Sequence, residues 1–121
     1  MTTFEIGTEL LNLIRAGKSV EAMEKLYAKD ILSIEAAPMP DREVRGLDKC
    51  LAKSRGWVEA HEIHSASAEG PFPHGDKFAL ILKYDITQRA TGKRLKMEEV
   101  AVYTVANDKI VKEEFMYPTG A

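Results

Sequence analysis

One cysteine, Cys50, occurs in 121 residues. It leaves no partner for an intramolecular disulfide and fits a reducing compartment, the cytoplasm. No apolar run approaches the ~20 residues of a membrane span. The opening Met1-Thr-Thr-Phe-Glu5 lacks the basic segment and apolar core of a secretory signal. Nor is there an excess of charge of one sign. Seventeen basic residues face nineteen acidic ones, for a net charge of −2. Contacts to a phosphate backbone need clustered Lys and Arg; here they are scattered, and Lys49, Lys53 and Arg55 read as the solvated side of one helix. Nucleic acid and membrane are therefore not expected partners. Also missing are Gly-x-Ser-x-Gly, Gly-x-x-x-x-Gly-Lys, Gly-x-Gly-x-x-Gly and Cys-x-x-Cys, the strings that announce a nucleophile elbow, phosphate loops and redox chemistry. The sequence implies no cofactor. His61, His64 and His74, with Glu62 and Asp76 nearby, do not fall at a dependable ligand spacing, so no metal is expected. Cys50 sits mid-helix among apolar residues and reads as a buried structural thiol.

What remains is the composition of an ordinary globular domain, 45% hydrophobic and 30% charged, spanning 1–121 as one unit. Its strongest pattern lies between Phe78 and Tyr117. Three β-branched and aromatic runs are separated by turns at Ala90-Thr-Gly-Lys93 and Asn107-Asp108, which predicts a three-strand antiparallel meander. Upstream, Thr2-Thr-Phe-Glu5 has capping-box spacing. Phe4, Gly7, Leu10, Leu11 and Ile14 then recur at helical period until Ala16-Gly17. Ser19 caps a second helix carrying Val20, Met23, Leu26 and Tyr27. A strand is expected over Asp30–Ala37 and an exposed loop over Pro38–Arg45. A third helix runs from Leu47 to Ala60, with a stripe of Leu47, Leu51, Ser54 and Val58, Cys50 and Trp57 beside it, and Gly56 as a point of close packing. Glu62–Glu69 reads as a weak strand and Gly70–Asp76 as a turn. Helices segregated against an antiparallel sheet define an α+β domain. From Val100 to Val105 both faces of a strand are apolar and call for cover on both sides; the expected outer cover is a second copy of the sheet, hence a homodimer.

Together these residues carry a resemblance. The helical hairpin, Leu26-Tyr-Ala-Lys-Asp30 leading into a strand, Arg45-Gly46 opening a third helix, and a meander closing on Asp108-Lys-Ile110 resemble the nuclear-transport-factor-two-like superfamily, and within it the SnoaL-like group. The resemblance implies a cone-shaped roll (cystatin-like), three helices closing a curved, mainly antiparallel sheet around an apolar pocket for a small apolar molecule. Members include ketosteroid isomerases, polyketide cyclases, dehydratases and proteins without catalysis, so the fold alone does not fix an activity.

Candidate chemistry rests on carboxylates. Glu35 lies among Ile34, Ala36 and Ala37, and the resemblance sets it over the isomerases' catalytic aspartate base. Drawn out of water, such an acid becomes a base near neutrality; the alternative is a strand-end charge pointing to solvent. The same comparison places Leu10 and Ala101 where the isomerases carry their two oxyanion donors, which argues against steroid isomerisation by that mechanism. Glu99 shares a strand face with Ala101 and Tyr103 and is a second acid/base candidate, or else, with Glu98, an edge charge. Trp57 and His61 are spaced i, i+4; His61 is either a proton shuttle at the pocket mouth or a helix-end histidine bonded to carbonyls. Tyr27, Trp57, Tyr84, Tyr103, Phe115 and Tyr117 are candidate ligand-lining aromatics, or core. Asp85 and Glu113 are second-rank pocket candidates, with Val111, Glu113, Phe115 and Tyr117 expected on one face. Two functions fit: cofactor-independent acid/base catalysis (isomerisation, cyclisation or dehydration) on an apolar carbonyl compound, or non-catalytic ligand binding or protein interaction in the same fold.

Overall fold

The computed structural model describes residues 1–118; the last three of the 121 residues assigned to the domain lie outside it. Helix α1 (Thr3–Arg15) opens with the capping box, Thr2 and Glu5 each accepting the other's backbone N–H through a side-chain oxygen at 3.1 and 2.9 Å. It buries Ile6, Gly7, Leu10 and Leu11, whereas Phe4, in its first turn, stays 47% exposed. Gly7 is required by close approach: a Cβ there would lie 2.9 Å from Pro71 Cβ and 3.0 Å from Phe78 Cδ2. After the turn at Gly17 comes α2 (Ser19–Leu26). Its cap is Lys18 rather than Ser19, and no side chain bonds to its first amides.

The chain passes from α2 straight into β1 (Tyr27–Ile34), three residues earlier than expected, because Tyr27 already pairs with the last strand. The proline-rich loop holds a short strand, β2 (Glu43–Arg45), paired antiparallel with Leu32–Ile34. Helix α3 (Leu47–Ala60) follows. Then come β3 (His61–His74), β4 (Lys77–Gln88), β5 (Arg94–Ala106) and β6 (Lys109–Met116). They form one curved six-stranded sheet in the order β2-β1-β6-β5-β4-β3, antiparallel except where β1 lies parallel to β6. The architecture is the expected α+β roll. Its meander matches the reading of 78–117, but β3, at 14 residues, runs well beyond the expected Glu62–Glu69. Gly70-Pro71 does not end it: the strand lies at the sheet edge, where proline is tolerated, and absorbs the irregularity between Glu69 and Phe72.

The helices cover one face. Phe78, Leu80 and Leu82 of β4 and Ala101 and Tyr103 of β5 alternate inward and pack with Ile6, Leu10, Leu26, Ile31 and Ile110. Each fully buried side chain of this size contributes about 1.5–3 kcal/mol relative to exposure. Along α3 the buried stripe is rotated by about one residue from the expected one. Cys50 and Leu51 are buried, Lys53 and Trp57 half-buried, and Val58 is 51% exposed. Gly56 meets nothing within 4 Å and permits no close packing. No described helix is long and apolar enough to cross a membrane.

A carboxylate cluster on the inner face

Period-two alternation places the site. In β1, Ile31 and Ser33 face inward and Glu35, just past the strand end, continues that face, its backbone N–H donated to the Arg42 carbonyl at 2.8 Å. In β5 the inward set is Met97, Glu99, Ala101 and Tyr103, paired with Tyr84, Leu82, Leu80 and Phe78 of β4. A register shift between β5 and β6 turns Ile110 inward in place of Val111, while Glu113 and Phe115 face inward opposite Tyr103 and Ala101. From α3, Lys53 and Trp57, one turn apart, point at this wall.

The result is a polar chain along the inner face, from a closed, fully buried end at Glu113 to Glu35 and Tyr117. At the closed end Glu113, 3% exposed, accepts hydrogen bonds from the Tyr27 hydroxyl and from Ser33 Oγ, the latter at 2.7 Å. Ser33 Oγ in turn accepts from Lys53 Nζ at 2.7 Å. The same ammonium lies 2.7 Å from Glu35 Oε1 and 5.2 Å from the centre of the Phe115 ring. Glu35 Oε2 accepts from the Tyr117 hydroxyl at 2.8 Å. Glu99 stands beside this chain with no hydrogen bond or ion pair to any described residue. Among those residues no fully buried side-chain nitrogen or oxygen lacks a partner, so the Glu99 carboxyl keeps contact with solvent.

Three acids around one lysine have electrostatic consequences. Burial, then the nearby charges of Glu35 and Glu113, push Glu99 up to about 7, against the lowering effect of Lys53. Burial also holds Glu113 above the ordinary carboxylate range despite its two hydroxyl donors and Lys53. Tyr27 and Tyr103 are pushed well above the usual phenol value, by burial first and by Glu113 second. Tyr84 is raised to about 12 by burial and by Glu99. The Cys50 thiol is raised to about 11, chiefly by burial, and stays protonated.

Glu35, Glu99, Tyr27, Tyr103, Phe115 and Tyr117 are thus brought to one face, and Trp57 and Tyr84 meet at its rim with ring centres 5.1 Å apart. Tyr27 and Tyr103 are core, with Tyr103 stacked on Phe78 at 4.9 Å. Glu35 is not the lone acid expected in an apolar hollow. Lys53 and Tyr117 bond to it, and its charge is met by Lys53. The two open concavities described, about 710 Å³ along the outer side of α1 and about 250 Å³ beside Lys83 and Asp85, lie elsewhere. His61 donates from Nδ1 to the Trp57 carbonyl (2.8 Å) and stacks on that indole at 4.6 Å, making no bond to the three glutamates. Asp85 faces outward, paired with Arg94 at 2.9 and 3.0 Å. Among the described residues no group of His, Cys, Asp and Glu is arranged to hold a metal.

Sequence reasoning missed Lys53 and Ser33. Each had a signal: Cys50, Lys53 and Trp57 recur at i, i+3, i+7, and Ile31, Ser33 and Glu35 at period two.

The SnoaL-like domain model matches residues 1–117. Among solved structures, a candidate SnoaL-like polyketide cyclase from Mesorhizobium loti is 44% identical, covers 97% of this chain and 100% of its own, and superposes with a TM-score of 0.94. An NTF2-like protein from Burkholderia thailandensis (22% identity, 98% and 92% covered, TM-score 0.84) shares the fold. So does a protein of unknown function with a cystatin-like fold from Xanthomonas campestris (18%, 97% and 91%, 0.79). No curated protein matches the chain.

Proposed function

The chain belongs to the SnoaL-like domain family, and from that premise we propose that it is a cofactor-independent enzyme moving a proton next to a carbonyl on a small, mainly apolar molecule. That step is common to isomerase, cyclase and dehydratase chemistry. The observation that carries it is Glu99: half-buried, unpaired, and pushed to about 7 by burial and two neighbouring acids. A group titrating there offers both a base and an acid at neutral pH. Glu99 takes the proton from the carbon α to the carbonyl; the C–H pair becomes a C=C bond and the carbonyl π pair moves to oxygen. Returning the proton to a different carbon completes an isomerisation. Glu35, expected as the base, instead positions Lys53 and Tyr117, and the aromatics Trp57, Tyr84 and Phe115 orient the ligand. His61 fixes the end of α3 against Trp57.

The test is a titration of glutamate side chains by carbon-13 NMR, with Glu99→Gln as assignment control. A resonance that titrates near 7 and vanishes in the variant is expected; titration of Glu99 in the ordinary acidic range overturns the reading.

Two further features support the setting. Phe72, Ile81, Val100, Val102 and Met116 share the outer face of the sheet, with Phe72 53% and Met116 48% exposed. This apolar patch favours a homodimer through that face. Sedimentation should give a dimer that Val102→Glu converts to monomer; a monomeric wild type ends that idea. One buried, protonated cysteine fits a cytoplasmic protein.

A further inference from the structure

We infer that Lys53 is a second catalytic residue, the donor that holds the ligand's carbonyl oxygen as it becomes an oxyanion. This rests on the proton-transfer reading of Glu99. The donors that such chemistry needs are absent where sequence comparison sought them, since Leu10 and Ala101 are both apolar and buried. An ammonium has three N–H donors. In Lys53 one serves Ser33 Oγ and one Glu35 Oε1, each at 2.7 Å, which leaves a third. The side chain is 27% exposed, so it is not sealed from solvent. The two bonds fix Nζ, so little reorganisation is required when charge develops. The Phe115 ring, 5.2 Å away, offers its negative face to the cation and excludes water on that side.

The surrounding charges set a condition on the ligand. Glu35 already balances Lys53, and Glu99 and Glu113 add no positive charge, so a ground-state carboxylate or phosphate has nothing to neutralise it. A neutral carbonyl compound meets no such opposition. It acquires negative charge only as Glu99 takes up the proton, which removes one of the repelling charges at that moment. While Glu99 is ionised, the site therefore selects uncharged carbonyl compounds over their acids.

A phenol whose ionisation is visible mimics the pair of states, the neutral form standing for substrate and the phenolate for the oxyanion. 4-Nitrophenol, followed at 400 nm with wild-type protein below pH 7, where Glu99 carries its proton as it does beside the oxyanion, should bind preferentially as phenolate, with a bound pKa below that of the free compound. Lys53→Met should weaken phenolate binding about tenfold, as expected for loss of a charge-assisted hydrogen bond, and change binding of the neutral phenol less than twofold. Lys53→Arg should restore most of the preference. The wild-type measurement stands alone if Lys53→Met folds poorly. Binding with no preference for phenolate, no binding at millimolar nitrophenol, or an unchanged preference in Lys53→Met each overturns the role of Lys53. The glutamate titration separates the two claims. Glu99 near 7 without phenolate preference removes only Lys53, whereas phenolate preference with an ordinary Glu99 leaves a donor without its base.

Discussion

Two glutamates on the inner face of one sheet have opposite surroundings. At the closed end Glu113 is buried and bonded to two hydroxyls, and Ser33 joins it to Lys53. On β5 Glu99 is half-buried and bonded to no described residue. Both are pushed up by loss of water, yet only one can exchange its proton with something that arrives. Satisfied polar groups rigidify a core; a group left open in the same low dielectric is poised to react. The difference separates a carboxyl that the fold satisfies from one that it leaves open, and the proposed proton transfer rests on the second.

That contrast can be broken in order of expected effect. Glu113→Ala strands the Tyr27 and Ser33 hydroxyls in the core and should cost about 3 kcal/mol, read as the midpoint of urea unfolding. Glu113→Gln, which keeps an acceptor, should cost less than half as much. Equal losses would mean that charge, and not hydrogen bonding, holds this end together. Glu99→Gln should act in the other direction. Its folded value near 7 exceeds the ordinary 4.5, so its contribution to stability is complete below 4.5 and is lost as pH rises through 7. Replacing it should leave stability at pH 4 unchanged and raise it at pH 8 by about 2 kcal/mol, after discounting the part of the side chain in water. A variant no more stable than wild type at pH 8 would show that Glu99 ionises without cost. The smallest effect belongs to Tyr117→Phe, which removes the half-exposed hydroxyl bonded to Glu35; it should lower stability by under about 1 kcal/mol, measured by the same unfolding curves. A loss as large as that of Glu113→Ala would erase the distinction between the two ends.

Much of this was legible in the residues. The capping box, the Gly17 stop and the meander each rest on a local pattern, and local patterns survive folding. The strand starting at Tyr27 was harder, because its first partner, Ile110, lies 83 positions away. Glu99 was placed on the Ala101 and Tyr103 face by simple alternation, which β5 obeys along its length. Lys53 was not found because a lysine on a charged helix usually belongs to solvent. Its spacing with Cys50 and Trp57 sets it on the inward side of α3, but its partners, Ser33 and Glu35, lie across the interior and leave no mark within the helix. Glu35 was found for its apolar flanks, but those flanks carry no information about a cation arriving from another helix.

The parallel seam between β1 and β6 has a temporal consequence. Tyr27 meets Glu113 across 86 positions, Ser33 meets Glu113 across 80, and Tyr117 meets Glu35 across 82. While a ribosome is still making the final strand, the earlier half of the cluster waits without its counterparts. Such distant closures are slow to form, and nothing resembling the finished constellation exists until they do. A nascent chain therefore lacks the assembled cluster until Glu113 and Tyr117 have emerged and joined the seam.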